Sequence, residues 1–261
     1  MRGATVARRA PSVPATARPV SLPAPVGGWN VRDALASMPP LDAVTLQNWF
    51  PQTTYCQQRL GYTQFATGIT GWVESLMQYS SGTANKLFAA AGTKIYDVTA
   101  GGTASSSVTS LTNAKWNYVN NTTAGGSYIQ MVNGADKMLI FDGTNWHADG
   151  DGSPYDVTGV DTATCAGIAL SHNRVWFAQT GTLKAWYLPT GAIGGAANAL
   201  DLTSFCTRGG YLMAIGSWTM DAGYGMDDMT VFVTSNGEVL VYQGSDPSSI
   251  TTWGLIGIYW I

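Results

Sequence analysis

Charged side chains are scarce in this sequence. Lys, Arg, Asp and Glu together make up 11% of the 261 residues, against about 25% in ordinary soluble domains. Gly, Ser, Thr, Asn and Gln take their place, so the protein surface is expected to be hydrated mainly through neutral polar groups. Because electrostatic repulsion between copies of such a chain is weak, the composition favours a subunit of a permanent assembly over a monomer in the crowded cytosol.

Basic residues are also too few and too scattered for a broad DNA-binding face. Four of the 13 lie near the N-terminus, at Arg2, Arg8, Arg9 and Arg18, which leaves nine against all 16 acidic residues in the remainder. Phosphate contacts need a cluster of Lys and Arg. At most, DNA is expected to pass non-specifically along a polar wall.

The residues that usually carry catalysis or metal binding are rare. There are two histidines, His147 and His172, and three widely separated cysteines, Cys56, Cys165 and Cys206, which we interpret as reduced thiols. His172 is interpreted as a hydrogen-bonded turn residue. No zinc, phosphate-loop or nucleophile-elbow motif is present, and the basic residues do not form the arginine cluster of a sialidase-like site. The sequence predicts no enzyme activity, no catalytic residues and no cofactor.

Long apolar segments are missing as well. No run of 18 or more apolar residues occurs, so no membrane span is predicted. The N-terminal arginines are not followed by a continuous apolar stretch, so a Sec signal is not expected either.

The first 70 residues divide into two predicted segments. Residues 1–26 are rich in Pro, Ala and Arg, which predicts an extended arm. Residues 27–70 are predicted to form a helical latch or docking segment. In it Asp42 is the candidate cap of a short helix that runs through Phe50 and ends at Pro51.

From residue 71 onward the pattern changes to short strands separated by Gly, Asn, Asp and Thr. One hairpin pattern recurs four times, at residues 87–98, 129–143, 174–188 and 230–244. Each copy has an apolar strand, a glycine-containing turn and a second strand. The turn glycines are Gly92, Gly134, Gly181 and Gly237, and a period of roughly 40–50 residues is typical of propeller blades.

Neighbouring segments supply the remaining strands of each blade. The candidate first strands are 72–79, 116–120, 167–170 and 211–216, and the candidate fourth strands are 104–110, 146–148, 199–203 and 251–258. The fold prediction is therefore all-β: an antiparallel, β-propeller-like array of about four blades over residues 71–261, after a short N-terminal helical segment. A β-sandwich is the alternative.

The apolar C-terminal stretch, residues 253–261, leaves three expectations open. It closes the ring, pairs with another chain, or marks a shortened version of a longer protein.

Two further patterns suggest binding sites. Asp149, Asp151 and Asp156 alternate with glycines, as oxygen ligands of calcium do, although the bidentate glutamate of an EF-hand is missing and a plain loop is the competing interpretation. The aromatic segments 182–188 and 217–225 are candidates for stacking on sugars, which makes a carbohydrate-binding, lectin-like propeller involved in host adsorption the alternative function.

The stretch from residue 27 to residue 62 resembles the N-terminal region of a family of virion proteins from short-tailed bacteriophages and prophages. That family shows the pattern G-G-x-N-x-R-x-A-x-x-x-M-P-x-x-D-A-x-x-L-x-N-x-x-P, followed after a short gap by R-x-G-Y. The positions of this sequence that match are Gly27, Gly28, Asn30, Arg32, Ala34, Met38, Pro39, Asp42, Ala43, Leu46, Asn48, Pro51, Arg59, Gly61 and Tyr62.

The resemblance implies a subunit of the tail hub or tail nozzle, around the channel through which DNA leaves. It implies a virion location after synthesis in the host bacterial cytoplasm, self-association as a hexameric ring, and contact with portal, adaptor or other tail proteins. It implies no catalytic residues. Asp42 and Arg59 carry opposite charges, as an ion pair requires. The residues singled out as interface candidates are Arg32, Asp42, Trp49, Phe50, Arg59, Tyr259 and Trp260.

Overall fold

A computed structural model describes residues 21–221 and 226–261. The chain separates into two compact units, which we call the N-terminal unit (Met1–Thr63) and the body (Gln64–Ile261). Residues 1–20 of the predicted arm (1–26) lie outside the described residues.

The N-terminal unit consists of four short strands: β1 (Gly28–Trp29), β2 (Asp42–Ala43), β3 (Trp49–Pro51) and β4 (Cys56–Gln58). Strands β1 and β2 pair in parallel, and β3 and β4 pair as an antiparallel hairpin. A hydrogen bond from Ser37 N to Ala34 O closes a turn just before the Pro39–Pro40 pair.

The predicted helix from Asp42 to Phe50 is wrong. Asp42 pairs with Gly28 across strands, and its carboxylate accepts a hydrogen bond from Asn30 Nδ2 instead of capping a helix. Asn48 has φ = 59°, which is left-handed backbone and ends any right-handed helix there. A segment of nine residues has little helical stability of its own, so these non-local contacts determine its structure.

The first blade of the body is formed by residues 66–108. In chain order its strands are β5 (Ala66–Thr67), β6 (Val73–Ser80), β7 (Asn85–Ala91), β8 (Lys94–Asp97), β9 (Gly102–Thr103) and β10 (Ser105–Val108). Strands β6, β7, β8 and β10 form a four-stranded antiparallel sheet, while β5 pairs with β9 in parallel. Residues 64–70, the last part of the predicted latch segment (27–70), thus belong to the body and contribute strand β5 to it.

The other three blades repeat this plan. The second contains β11 (Asn117–Thr123), β12 (Gly126–Val132), β13 (Leu139–Phe141) and β14 (Trp146–Ala148). The third contains β15 (Val157–Thr158), a 3₁₀ turn (Thr162–Thr164), β16 (Cys165–Ser171), β17 (Arg174–Gln179), β18 (Lys184–Tyr187), β19 (Gly195–Ala196) and β20 (Asn198–Asp201). The fourth contains β21 (Leu212–Asp221), β22 (Met226–Thr234), β23 (Glu238–Gly244) and β24 (Trp253–Trp260).

These bounds confirm an all-β fold built of four-stranded antiparallel sheets that follow one another along the chain. The first strands β6, β11, β16 and β21 contact each other in that order, so the blades stack side by side in a propeller-like array. Two facing sheets, as a β-sandwich requires, are not what the described residues form. The predicted turn glycines all have positive φ, between 58° and 77°, which suits glycine because it has no Cβ.

The hydrophobic core lies between neighbouring blades. Phe88 and Met77 of the first blade pack on Phe141 and Met131 of the second, and a second cluster around Phe177 joins the second and third blades. Each sheet therefore buries at least one apolar face by stacking on a neighbouring blade, and an isolated hairpin of this type would leave that face exposed.

The interface between the third and fourth blades contains five buried aromatic residues. Trp176 is fully buried, and its indole stacks on Trp253 with ring centres 5.7 Å apart. Tyr242 stacks on the other side of Trp253 at 5.4 Å, and Phe232 meets Trp176 edge-on at 5.4 Å. Burial raises the pKa of the Tyr242 hydroxyl to about 12, so this phenol stays neutral.

The cysteines fit the expectation of reduced thiols. All three are free, and Cys165 and Cys206 are buried. Burial raises the pKa of the Cys165 thiol to about 12, which keeps it protonated and unreactive.

Candidate functional site

A polar cavity of about 400 Å³ lies where the second, third and fourth blades meet. Eight of its nine lining residues are polar, and Leu170 is the exception. The residues come from β11, from the end of β16 and the turn that follows it, and from β21 and β22. Because they are far apart in sequence, the cavity exists only once the blades have stacked.

The turn that enters this cavity is formed by His172 and Asn173. Both residues have φ = 54°, and the flanking Ser171 and Arg174 are paired across the hairpin. Two consecutive left-handed residues match a type I′ turn, for which Asn is well suited and His is tolerated. The prediction that His172 occupies a turn is confirmed.

The imidazole of His172 is held by two buried hydroxyls. Its Nδ1 atom lies 3.0 Å from Ser171 Oγ and 3.3 Å from Thr230 Oγ1, and those two hydroxyls are 2.7 Å apart. The imidazole also makes an edge-to-face contact with the indole of Trp253, and the centres of the two rings are 6.2 Å apart. The ring therefore has a defined orientation before any ligand arrives.

The opposite side of the cavity is formed by the fourth blade. Ser217 lies opposite Thr230, and Thr219 lies opposite Asp228, on the sheet face that turns toward the third blade. The Thr219 hydroxyl donates to Asp228 Oδ1 at 2.7 Å. One carboxylate oxygen of Asp228 is therefore already engaged in a hydrogen bond within the sheet.

The adjacency of Ser171 and His172 does not make a catalytic pair. Ser171 is 3% exposed, and its hydroxyl is already engaged by Thr230 and by the imidazole. Among the described residues no carboxylate bonds the other imidazole nitrogen, the arrangement that orients a catalytic histidine. The geometry suits binding by hydrogen bonds.

The predicted calcium ligands are tied into their own loop. Asp149 accepts from Val157 N at 2.8 Å and from Thr162 Oγ1 at 2.5 Å. Asp156 accepts from the amides of Gly150 and Gly152, and Asp151 accepts from Ser153 N. Across residues 21–221 and 226–261, no three His, Cys, Asp or Glu side chains are grouped so as to hold a metal ion.

The other histidine bridges the same loop to the second blade. His147 Nε2 lies 3.2 Å from Asp142 Oδ2, and His147 Nδ1 lies 3.4 Å from Asp151 Oδ2. Burial by itself raises the pKa of Asp142. Hydrogen bonds from the amides of Asn145 and Thr144 and the interaction with the His147 imidazole outweigh this effect, so the pKa is lowered. Hydrogen bonds from Ser153 lower the pKa of Asp151. Both acids therefore stay ionised at neutral pH and brace the loop.

A calcium titration tests the loop interpretation. Adding Ca²⁺, or removing divalent ions with EDTA, is expected to leave Tm unchanged, because the three carboxylates are already satisfied by amides and hydroxyls. Differential scanning fluorimetry measures this directly. A rise in Tm with Ca²⁺ that disappears in Asp156→Asn would show that a calcium site had been missed.

Five predicted interface residues lie in the N-terminal unit and are not brought together as an ion-paired cluster. Arg32 is exposed and pairs with Asp33 at 3.0 Å, and Asp42 bonds Asn30. The guanidinium of Arg59 lies over the ring of Tyr62, at 5.4 Å from its centre. The suggested Asp42–Arg59 pair is thus not formed.

The N-terminal unit has almost no core among its described residues. In residues 21–63 only Gly28 is buried, while eleven large hydrophobic side chains are exposed. Trp49 is 48% exposed and Phe50 is 54% exposed, next to each other on β3. Exposed apolar groups at this density are typical of a surface that a partner covers.

The two C-terminal interface candidates lie on β24, the outer strand of the fourth blade. Tyr259 and Trp260 are both exposed, and the guanidinium of Arg208 lies 5.4 Å from the centre of the Trp260 ring. The strand pairs with β23 over its length.

The aromatic residues predicted to stack on sugars are mostly unavailable. Tyr187 is buried in the interface of the third and fourth blades, and Trp186 packs partly buried between the second and third. Residues 222–225 of the second segment lie outside the described residues, and Trp218 is half exposed. The cavity around His172 includes Ser217 and Thr219 of that second segment, whereas Asn121, Asn173 and Asp228 were missed by sequence reasoning because no local motif marks them.

No helix among the described residues has the length and hydrophobicity that crossing a membrane requires.

Comparisons with known proteins give a likeness of fold only. No protein-family model matches the chain, and neither does any curated protein. Among solved structures it is similar to BBS1N in two crystal structures of the BBS1N complex with ARL6DN. In the crystal soaked with mercury the identity is 14%, with 72% of this chain and 54% of that chain covered and a TM-score of 0.42. In the crystal soaked with lead the identity is 14%, the coverages are 79% and 57%, and the TM-score is 0.44. The chain spans a little over half the length of those chains, and no partner or ligand is transferred from them.

Proposed function

We propose that this chain is a non-catalytic structural component of a short-tailed phage virion, a subunit of the tail hub or nozzle around the DNA exit channel. The observation that carries the proposal is the N-terminal unit. The stretch that resembles the phage family, residues 27–62, exposes ten large hydrophobic side chains and buries only Gly28. Such a segment gains stability by docking on a neighbour, which suits a subunit of a permanent assembly.

The proposed mechanism is geometric. Subunits form a hexameric ring and contact portal, adaptor or other tail proteins. The first strands of the four blades, β6, β11, β16 and β21, contain no Lys or Arg in their described sequences. If such strands line the channel, they present phosphates with a neutral-to-acidic wall that DNA passes without being gripped.

Particle composition tests this proposal. Virions from the phage or induced prophage that encodes the chain are purified on a density gradient, and their proteins are quantified by mass spectrometry. The chain is expected to band with intact particles at a fixed small copy number. Its presence only in the soluble lysate would overturn the virion role.

A carbohydrate-binding function is the second candidate. The observation that favours it is the polar cavity around His172, to which Ser217 and Thr219 of segment 217–225 contribute, whereas the aromatic residues of segment 182–188 pack in the core. The two functions are compatible in one protein, since the cavity and the N-terminal unit use different residues.

A further inference from the structure

We propose that the cavity around His172 is a binding site for a neutral saccharide or polyol. This inference rests on the second candidate function, for which it names the site and the ligand class, and it does not depend on the structural role. It rests on the charge, the hydrogen-bonding groups and the rigidity of the lining residues, each of which narrows the class of ligand.

The charge of the lining excludes most other ligands. It contains no Lys or Arg, and its one carboxylate, Asp228, repels anions such as phosphate. A single carboxylate is also a poor cage for a divalent cation, which takes several oxygen ligands. Leu170 is the only apolar side chain in the lining, so an apolar ligand would leave many polar groups unpaired.

The remaining groups match a ligand with many hydroxyls. Asn173 offers an amide that both donates and accepts, Ser217 offers a hydroxyl, and Asp228 keeps a second carboxylate oxygen beside the one used by Thr219. A sugar hydroxyl donates and accepts at once, so neighbouring hydroxyls pair well with such a set. The volume of about 400 Å³ lies within the roughly 300–1,000 Å³ of small-molecule sites.

The site is also rigid before binding. His172 and Asn173 are fixed by a two-residue turn, and Nδ1 of His172 is held by the hydroxyls of Ser171 and Thr230. Thr230 is fully buried. Among the described residues, Nε2 of His172 and the side-chain amide of Asn173 have no partner within the protein. Preorganisation of these groups lowers the entropic cost of binding a ligand, and the unpaired atoms are available to form hydrogen bonds with it.

Ligand-observed NMR tests this site. Saturation transfer from the whole chain is measured to a panel of D-glucose, D-galactose, D-mannose, N-acetylglucosamine and trehalose, and the Kd of the best ligand is then titrated. At least one saccharide is expected to bind. Asn173→Gly, which keeps the left-handed turn but removes the amide, is expected to weaken binding at least about tenfold.

The matched control is Asn48→Gly, which makes the same change at φ = 59° outside the cavity and is expected to leave Kd unchanged. Asp228→Asn, which removes charge while keeping shape, provides a second variant and is also expected to weaken binding. Absence of transfer to every saccharide would overturn the proposal, and so would binding that survives both Asn173→Gly and Asp228→Asn. Either result leaves the particle-composition experiment unaffected, so the two proposals fail separately.

Discussion

Replacing Trp176 by alanine is expected to lower the free energy of unfolding by about 3–5 kcal/mol, the usual cost of deleting a buried aromatic side chain. Trp176 is fully buried and touches rings on both sides of the interface between the third and fourth blades: Tyr187 at 5.0 Å, Phe232 at 5.4 Å and Trp253 at 5.7 Å. The substitution leaves a cavity that the surrounding sheets, fixed by their ladders, cannot close. Urea denaturation followed by tryptophan fluorescence and circular dichroism measures the loss.

The control for this experiment is Trp72→Ala. Trp72 is 90% exposed, so the same deletion there is expected to change stability by no more than about 0.5 kcal/mol. If Trp176→Ala costs as little as Trp72→Ala, the third and fourth blades do not stack through this interface, and the description of the body would have to be revised.

The double substitution Trp49→Ser/Phe50→Ser is expected to reduce incorporation into particles by at least about thirtyfold. The loss of even one central aromatic side chain at an interface costs about 2 kcal/mol or more, which already corresponds to about a thirtyfold change in affinity at about 1.4 kcal/mol per factor of ten. Both residues are exposed on β3, so their loss is expected to leave the folding of the body intact. Complementation of a deletion phage, followed by quantitative mass spectrometry of purified particles, measures the effect.

The matched control removes two exposed aromatic residues from the body, Trp72→Ser/Tyr211→Ser. Incorporation of this variant is expected to match that of the unchanged chain, and Tm of both variants verifies that the body folds. Normal incorporation of the Trp49/Phe50 variant would remove the N-terminal unit from the assembly interface.

The blades were predictable from sequence because their signals are local. Gly92, Gly134, Gly181 and Gly237 each occupy a turn with positive φ, and the apolar runs on either side form the paired strands. The glycine marks the turn and the apolar run marks the buried strand, so both strand positions and blade number follow from the chain itself.

The N-terminal unit was mispredicted for the opposite reason. Its spacing of Leu46 and Phe50, with Asp42 before and Pro51 after, has the pattern of a short capped helix. The deciding contacts are made with residues outside the predicted helix: Gly28 pairs with Asp42, and Trp49 pairs with Gln58. Local propensity in so short a segment is too weak to prevail over such pairing.

The cavity around His172 was beyond sequence reasoning. Its lining residues Asn121, His172 and Asp228 come from three different blades and have no motif in common. Their meeting depends on the register of three sheets and on how the blades stack. His172 was recognised as a turn residue, but the hydroxyl groups around it were not.

Immunogold electron microscopy of intact particles tests the central claim most directly. An antibody against the body is applied to purified virions, and the positions of the gold particles are scored. Labelling concentrated at the tail vertex, and absent from particles of the deletion phage, is the result expected of a hub or nozzle subunit. Gold confined to host cytoplasm, with bare particles beside it, would contradict the account.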